Sequence, residues 1–180
     1  MGNIFLQDKK IILRPLEEKD LNESYLGWLN DEEVCHHNSH AIYPYTERKM
    51  REYFDKTQND NTIVVLAIMD KVGKKHIGNV SLQNIDYISR SAEFAIIIGD
   101  KNYWQRGVGA SAAKLIINYG FERLNLSRIY CGTSSENIGM QKLAEKLNMK
   151  KEGVRRQAMY KMGKYIDIIE YGLLRREFKE

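Results

Sequence analysis

The run Ala92-Glu93-Phe94-Ala95-Ile96-Ile97-Ile98-Gly99 is followed within ten residues by Trp104-Gln105-Arg106-Gly107-Val108-Gly109-Ala110. It reads as an apolar strand that delivers the chain into a glycine-bearing turn and then a helix. Glycine lets the backbone come close to a ligand, and the helix that follows adds unpaired N-terminal donors and a positive dipole end. The segment is a place to hold a phosphate. A Gly-x-Gly alone is explained equally well by a turn beside close helix packing; its place after a strand and before a helix makes the reading more specific.

At 180 residues and 43% hydrophobic, the chain has the size of one domain, spanning 1–180, that buries a full core without staples. The stretch MGNIFLQDKKIIL has no uninterrupted apolar segment, and the longest apolar run, residues 63–69, is far too short to cross a bilayer. No membrane partner is expected. Cys35 and Cys131 lie far apart with no Cys-x-x-Cys or Cys/His ligand spacing, so neither a disulfide framework nor a zinc site is indicated and a cytoplasmic location follows. The net charge of +4 conceals an asymmetry: residues 1–70 carry 8 Lys/Arg against 13 Asp/Glu, and residues 142–180 carry 11 against 6. The basic residues are dispersed among acids rather than ranged in a stripe with aromatics. Nucleic acid is therefore not expected as a partner, while a phosphate-rich cofactor suits the later part of the chain.

No repeat, low-complexity tract or linker interrupts the sequence. Residues 9–13 read as a strand ended by Pro15; Leu21, Tyr25, Trp28 and Leu29 then fall on one helical face, with the acids at 17, 18 and 20 suited to its first turn. Thr46 suits an N-cap for a second helix whose Met50, Tyr53, Phe54 and Thr57 share a face. Residues 62–70, 75–85 and 91–98 are β-branched runs separated by turn signals, an antiparallel meander. A helix over 109–124, a strand over 128–133, a helix over 137–147 and strands over 154–161 and 165–174 complete the chain.

This order, with the strand SAEFAIIIG, the turn WQRGVGASAA and the helix NIGMQKLAEKLNMKKEG at their spacings, resembles the GNAT family of acetyl-CoA-dependent N-acetyltransferases over nearly the whole chain. Trp104, where the general family has Gln or Arg, and the tail GKYIDIIEYGLLRREF look like the branch that includes ribosomal-protein acetyltransferases. The resemblance implies an α/β (α+β) fold: a mixed, mostly antiparallel seven-stranded sheet splayed between strands 4 and 5, with about four helices. It implies acetyl-CoA as cofactor. Its pyrophosphate would lie on Trp104, Gln105, Arg106, Gly107, Val108, Gly109 and Ala110, and its pantetheine arm beside the backbone of Ile96, Ile97 and Ile98, with an N–H near Ile97 meeting the thioester oxygen. Asn137 would cap the next helix and reach the cofactor with its amide.

Acyl transfer to an amine requires an uncharged amine, a polarised carbonyl and a proton for the leaving thiolate. Glu93, fourteen residues before Gly107, stands where histone-type members carry their base, and a carboxylate in so apolar a strand is expensive unless used. Pairing with Arg90 or exposure on an edge face would account for it otherwise. The family's proton-donating tyrosine falls on Ala144, and its Gly-Phe pair becomes Asn148-Met149, which requires an asparagine in the left-handed region or a different turn. Tyr160 and Tyr165 are the candidate donors, with Tyr119 or a water as alternatives.

The resemblance places the acceptor site at the two early helices, their connecting loop and the last two strands. Trp28, Asn30, His36, His37 and Tyr43 supply aromatic and hydrogen-bonding groups there. His36 and His40 have i, i+4 spacing, but the segment lacks a helical pattern or a further ligand cluster, so no metal is expected. Aromatic, amide and imidazole groups suit a sugar or nucleobase, and the segment HIGNVSLQNIDYISRSAEF with WLND looks most like enzymes that acetylate amino sugars on nucleotide carriers. The alternatives are N-terminal acetylation of a ribosomal protein, polyamine acetylation, favoured by the acids of residues 17–33, and an acetyl-CoA sensor without activity. A homodimer is expected.

Overall fold

The computed structural model describes residues 3–179. Strand β1 (Leu6–Gln7) and β2 (Ile11–Pro15) form a hairpin whose turn is fixed by Asp8, a carboxylate oxygen of which accepts from the N–H groups of Lys10 (2.7 Å) and Ile11 (2.9 Å). Among the described residues the sheet has eight strands rather than seven, because a two-residue strand leaves no periodicity in the sequence to read. β3 (Val64–Asp70), β4 (His76–Asp86) and β5 (Ser91–Ile98) follow as the expected antiparallel meander. β6 (Arg128–Ser134) joins parallel to β5, and β7 (Lys150–Lys161) and β8 (Lys164–Leu174) close the order β1-β2-β3-β4-β5-β6-β8-β7. β7 begins four residues before the expected Val154 and contains Gly153 at a bulge.

Among the described residues, four α-helices cover the sheet, two on each face. α1 (Glu23–Asn30) is capped by the Asn22 side chain, and α2 (Glu47–Asn59) by Thr46 as its sequence predicts. Tyr25, Trp28, Leu29 and Met50 pack from these helices onto Leu16 and Ala67. On the opposite face, α3 (Val108–Glu122) and α4 (Ile138–Lys146) bury Ala112, Ile116, Phe121 and Ala144 against Leu82, Phe94, Ile129 and Leu173. That face carries the larger core, which anchors both edges of the central cleft.

The acids at 17, 18 and 20 do not belong to α1. Residues 18–20 make a separate 3-10 turn, and Asp20, 3% exposed, receives a two-pronged hydrogen bond from Arg14 at 2.7 Å on each oxygen. Burial works against the ionised carboxyl, but these bonds and the N–H of Glu17 hold its pKa below the usual value. At the end of α4, Asn148 adopts φ 60°. The N–H of Met149 donates to the carbonyl of Ala144 and that of Asn148 to Glu145, both at 2.9 Å. Asparagine thus closes the helix in the left-handed conformation that glycine usually supplies.

Candidate active site: a split sheet and its two faces

β5 and β6 are paired only through Ser91, Ala92 and Glu93 with Arg128, Ile129 and Tyr130; beyond that rung the strands separate. The polar backbone groups of β5 alternate in direction. The carbonyl of Ile97 points at Gly78 of β4, so the groups of Ile96 and Ile98 face the opening. This corrects the expectation for Ile97, whose N–H is turned away from the cleft. The carbonyl of Ile98 accepts from the Trp104 indole at 2.8 Å, which ties the phosphate turn to the end of the strand. Ile96 therefore offers the free donor and acceptor that an extended amide-bearing arm would pair with.

At the mouth of the opening, Gln105 (φ 60°) and Gly107 (φ 79°) are both left-handed, and Gly107 is the N-cap of α3 with no side-chain cap. Val108, Gly109 and Ala110 are in the helix's first turn, so their N–H groups lack intrahelical acceptors and point out of its N-terminus. Consecutive donors with the dipole behind them fit a pyrophosphate. Lys10 donates to the carbonyl of Arg106 at 3.1 Å, bringing an ammonium to the same turn from the β1–β2 turn. Arg106 lies over the ring of Tyr103 at 5.8 Å. Asn137 accepts from the Met140 N–H at 3.0 Å and so caps α4 on the other side of the opening.

Glu93 is half-buried on the sheet face opposite α3, since its neighbours Ala92 and Phe94 enter the α3–α4 core. It receives a 2.8 Å hydrogen bond from the side chain of Asn84, not from Arg90, whose guanidinium is bound to Asn125. Asn84 sits at φ 49° where β4 shifts register between Gln83 and Asp86, and this irregularity aims its amide across the strand. Ala144 is fully buried in the core. Tyr160 and Tyr165 face each other across the tip of the β7–β8 hairpin, 57% and 66% exposed with ring centroids 5.0 Å apart. Tyr165 is seven residues from Gly172, which shares the rung of Tyr130 and Glu93, or about 23 Å along the strand. Neither tyrosine stands beside Glu93. Tyr119 is packed against Phe5 on α3.

The acceptor residues named from the sequence divide into two groups. Trp28 is buried against Gly99, where a Cβ would lie inside its ring, and Asn30 clamps the loop by exchanging hydrogen bonds with the backbone of Tyr45 (2.9 and 2.8 Å). Both support the segment rather than face a ligand. His36 and His37 are in edge contact at 4.6 Å near Glu136, and Tyr43 is 76% exposed. Burial and the neighbouring His36 hold His37 below the usual imidazole pKa. Lys161, 8% exposed, donates to the carbonyls of Asn38 (3.1 Å) and His40 (2.5 Å) and so ties the loop to the β7–β8 hairpin. Beside it Glu32, Ala41, Ile42, Tyr160 and Met162 line a pocket of about 190 Å³.

Residues 10–150 match the acetyltransferase (GNAT) domain family. The chain belongs to the GNAT acetyltransferases. It is an acetyl-CoA-dependent N-acetyltransferase with the split sheet of that fold. It is similar to the uncharacterized N-acetyltransferase p20 of Bacillus licheniformis, 29% identical over 96% of this chain and 97% of the relative. It is also similar to the spermidine N(1)-acetyltransferase of Escherichia coli K12, 30% identical over 92% of this chain and 87% of the relative. The crystal structure of spermidine N-acetyltransferase from Vibrio cholerae in complex with CoA and spermine superposes with a TM-score of 0.85 at 28% identity, covering 94% of this chain and 98% of that one.

The groups here that could hold a cofactor are backbone: those of Ile96, the unpaired donors of Val108 to Ala110, and a glycine at 107 whose φ a β-branched residue would resist. Two side chains escaped the sequence reading. Asn84 could have been found, because an asparagine inside a β-branched run is a signal for an irregular strand. Lys161 left no such signal, since its acceptors lie more than 120 residues away. Among the described residues, no helix is long and apolar enough to cross a membrane.

Proposed function

We propose that this enzyme acetylates a primary amine of a polyamine of the spermidine and spermine class, in a ternary complex with acetyl-CoA. The observation that carries the reading is the similarity to spermidine acetyltransferases over nine-tenths of the chain, in sequence and in fold. The chemistry of the acceptor face supports it. Glu93 and Glu170 lie on that face beside Tyr130, and Glu32 lines the pocket at the hairpin tip; ammonium groups favour such carboxylates. Glu93 takes the amine's proton, oriented by Asn84. A nucleotide-linked amino sugar is the weaker reading, because Trp28 and Asn30, two of the groups that suggested it, are engaged in packing and in clamping the loop. We place the enzyme in the cytoplasm, as its two buried free thiols suit, and take a homodimer as its working form.

The test is thiol release from acetyl-CoA with spermidine, spermine, a nucleotide-linked amino sugar and a peptide N-terminus as acceptors. The polyamines are expected to give the highest kcat/KM. A higher value for the amino sugar or the peptide overturns the substrate assignment. Tight acetyl-CoA binding with no thiol release from any amine would show a sensor instead.

A further inference from the structure

Acyl transfer needs a proton on sulfur as the carbon–sulfur bond breaks, and the residues considered so far do not supply it. Ala144 has no proton to give, and Tyr160 and Tyr165 lie at the exposed hairpin tip. Tyr130 does stand at the right place. It is the neighbour of Glu93 on the last rung that β5 and β6 share, immediately before the strands part. Ile129 and Cys131 enter the α3–α4 core, so Tyr130 projects from the same face as Glu93. The next residue of β6 on that face is Gly132, paired with Glu170 of β8; a Cβ there would stand 3.1 Å from a Glu170 carboxylate oxygen. Beyond Tyr130 toward the opening, β6 therefore presents bare backbone.

The phenol is surrounded by defined charges. Glu93 faces it from β5, Asp86 from the end of β4, Glu170 from β8, and Arg128 from its own strand. The Arg128 guanidinium lies 5.8 Å from the ring centroid and is anchored by Glu152. Glu170 is itself bound by Arg155. Burial and the Glu93 carboxylate push the Tyr130 pKa upward, with Arg128 opposing, so the hydroxyl carries its proton at neutral pH.

We propose that Tyr130 donates the proton to the departing thiolate and is reprotonated by Glu93. This rests on the proposed role of Glu93 as base. The amine lone pair forms the new carbon–nitrogen bond while the carbon–sulfur bond breaks, its electron pair leaving on sulfur. The amine's proton passes to Glu93, the Tyr130 proton to sulfur, and the Glu93 proton to the phenolate. One proton moves in sum from nitrogen to sulfur, and both side chains return to their starting forms.

The experiment compares wild type with Tyr130→Phe and, as a control, Tyr165→Phe. For Tyr130→Phe, kcat is expected to fall about 100-fold with both KM values nearly unchanged, and Tyr165→Phe to behave as wild type. In protein labelled with 13C at the tyrosine ring carbon that bears oxygen, the resonance missing from Tyr130→Phe is expected to shift when coenzyme A is added and again in Glu93→Gln. Should Tyr130→Phe misfold, fluorotyrosine at position 130 lowers the phenol pKa and is expected to move the alkaline limb of kcat to lower pH, whereas an unmoved limb overturns the relay. An unchanged kcat in Tyr130→Phe, or a Tyr130 resonance indifferent to coenzyme A, overturns the relay and leaves the acceptor assignment standing. A wild type that releases no thiol with any amine overturns the acceptor reading and the relay together.

Discussion

The two faces of the split sheet are built by different means. The side we propose for the cofactor offers backbone: the groups of Ile96, the left-handed Gln105 and Gly107, and the open first turn of α3. The side we propose for the acceptor is built from side chains of distant segments: Asn84 on Glu93, Asn30 on Tyr45, Lys161 on the carbonyls of Asn38 and His40. A backbone site is written in local sequence, because glycine and strand patterning are local. A side-chain site depends on which residues the tertiary fold brings together, and so it leaves little trace in a single sequence.

Substitutions on the two sides should separate in their kinetics. The largest effect is expected at the junction: Glu93→Gln should lower kcat by about 100- to 1000-fold with the KM for acetyl-CoA unchanged, since general-base catalysis contributes at that scale. A Glu93→Gln enzyme within tenfold of wild type, measured at saturating substrates, would remove Glu93 from the chemistry. Next in size is Gly107→Val. The left-handed conformation costs an ordinary residue about 1–2 kcal/mol, and the new Cβ would stand 3.0 Å from the Lys10 ammonium. The KM for acetyl-CoA should rise about tenfold while the acceptor KM stays put.

Lys161→Met addresses the other face. It removes two charge-assisted bonds to loop carbonyls, each worth about 1.5 kcal/mol or more, and should raise the acceptor KM several-fold without touching that for acetyl-CoA. A rise in both KM values would mean that the loop also shapes the cofactor cleft. The smallest effect is on stability. His76 is held beneath Tyr25 and Trp28, and burial depresses its pKa below the usual 6.5, against the hydrogen bond with Asn79. The unfolded chain then takes up the proton first, so stability is constant above about pH 6.5 and declines as pH falls through that value. His76→Gln should flatten the decline in the melting temperature.

Particular residues show where the sequence was sufficient. The strand over residues 91–98, the turn, and the caps Thr46 and Asn137 are where local patterning puts them, and of the two turns open at Asn148 the left-handed one is found. Acids before a helix suggest a first turn, whereas the partner of Asp20, Arg14, lies across a turn on β2. Trp28 and Asn30 look like ligand-binding groups by residue type, and only the packing of Gly99 and Tyr45 shows their work. Tyr160 and Tyr165 are proton donors by residue type, but the β8 register sets them far from Glu93.

The claim that the cofactor side is a backbone site can be tested by amide NMR of the 15N-labelled protein titrated with coenzyme A. The N–H signals of Ile96, Gly107, Val108, Gly109 and Ala110 should shift together and become protected from exchange, while those of residues 31–45 stay in place. Shifts concentrated in residues 31–45, with Ile96 and the turn unmoved, would contradict the account.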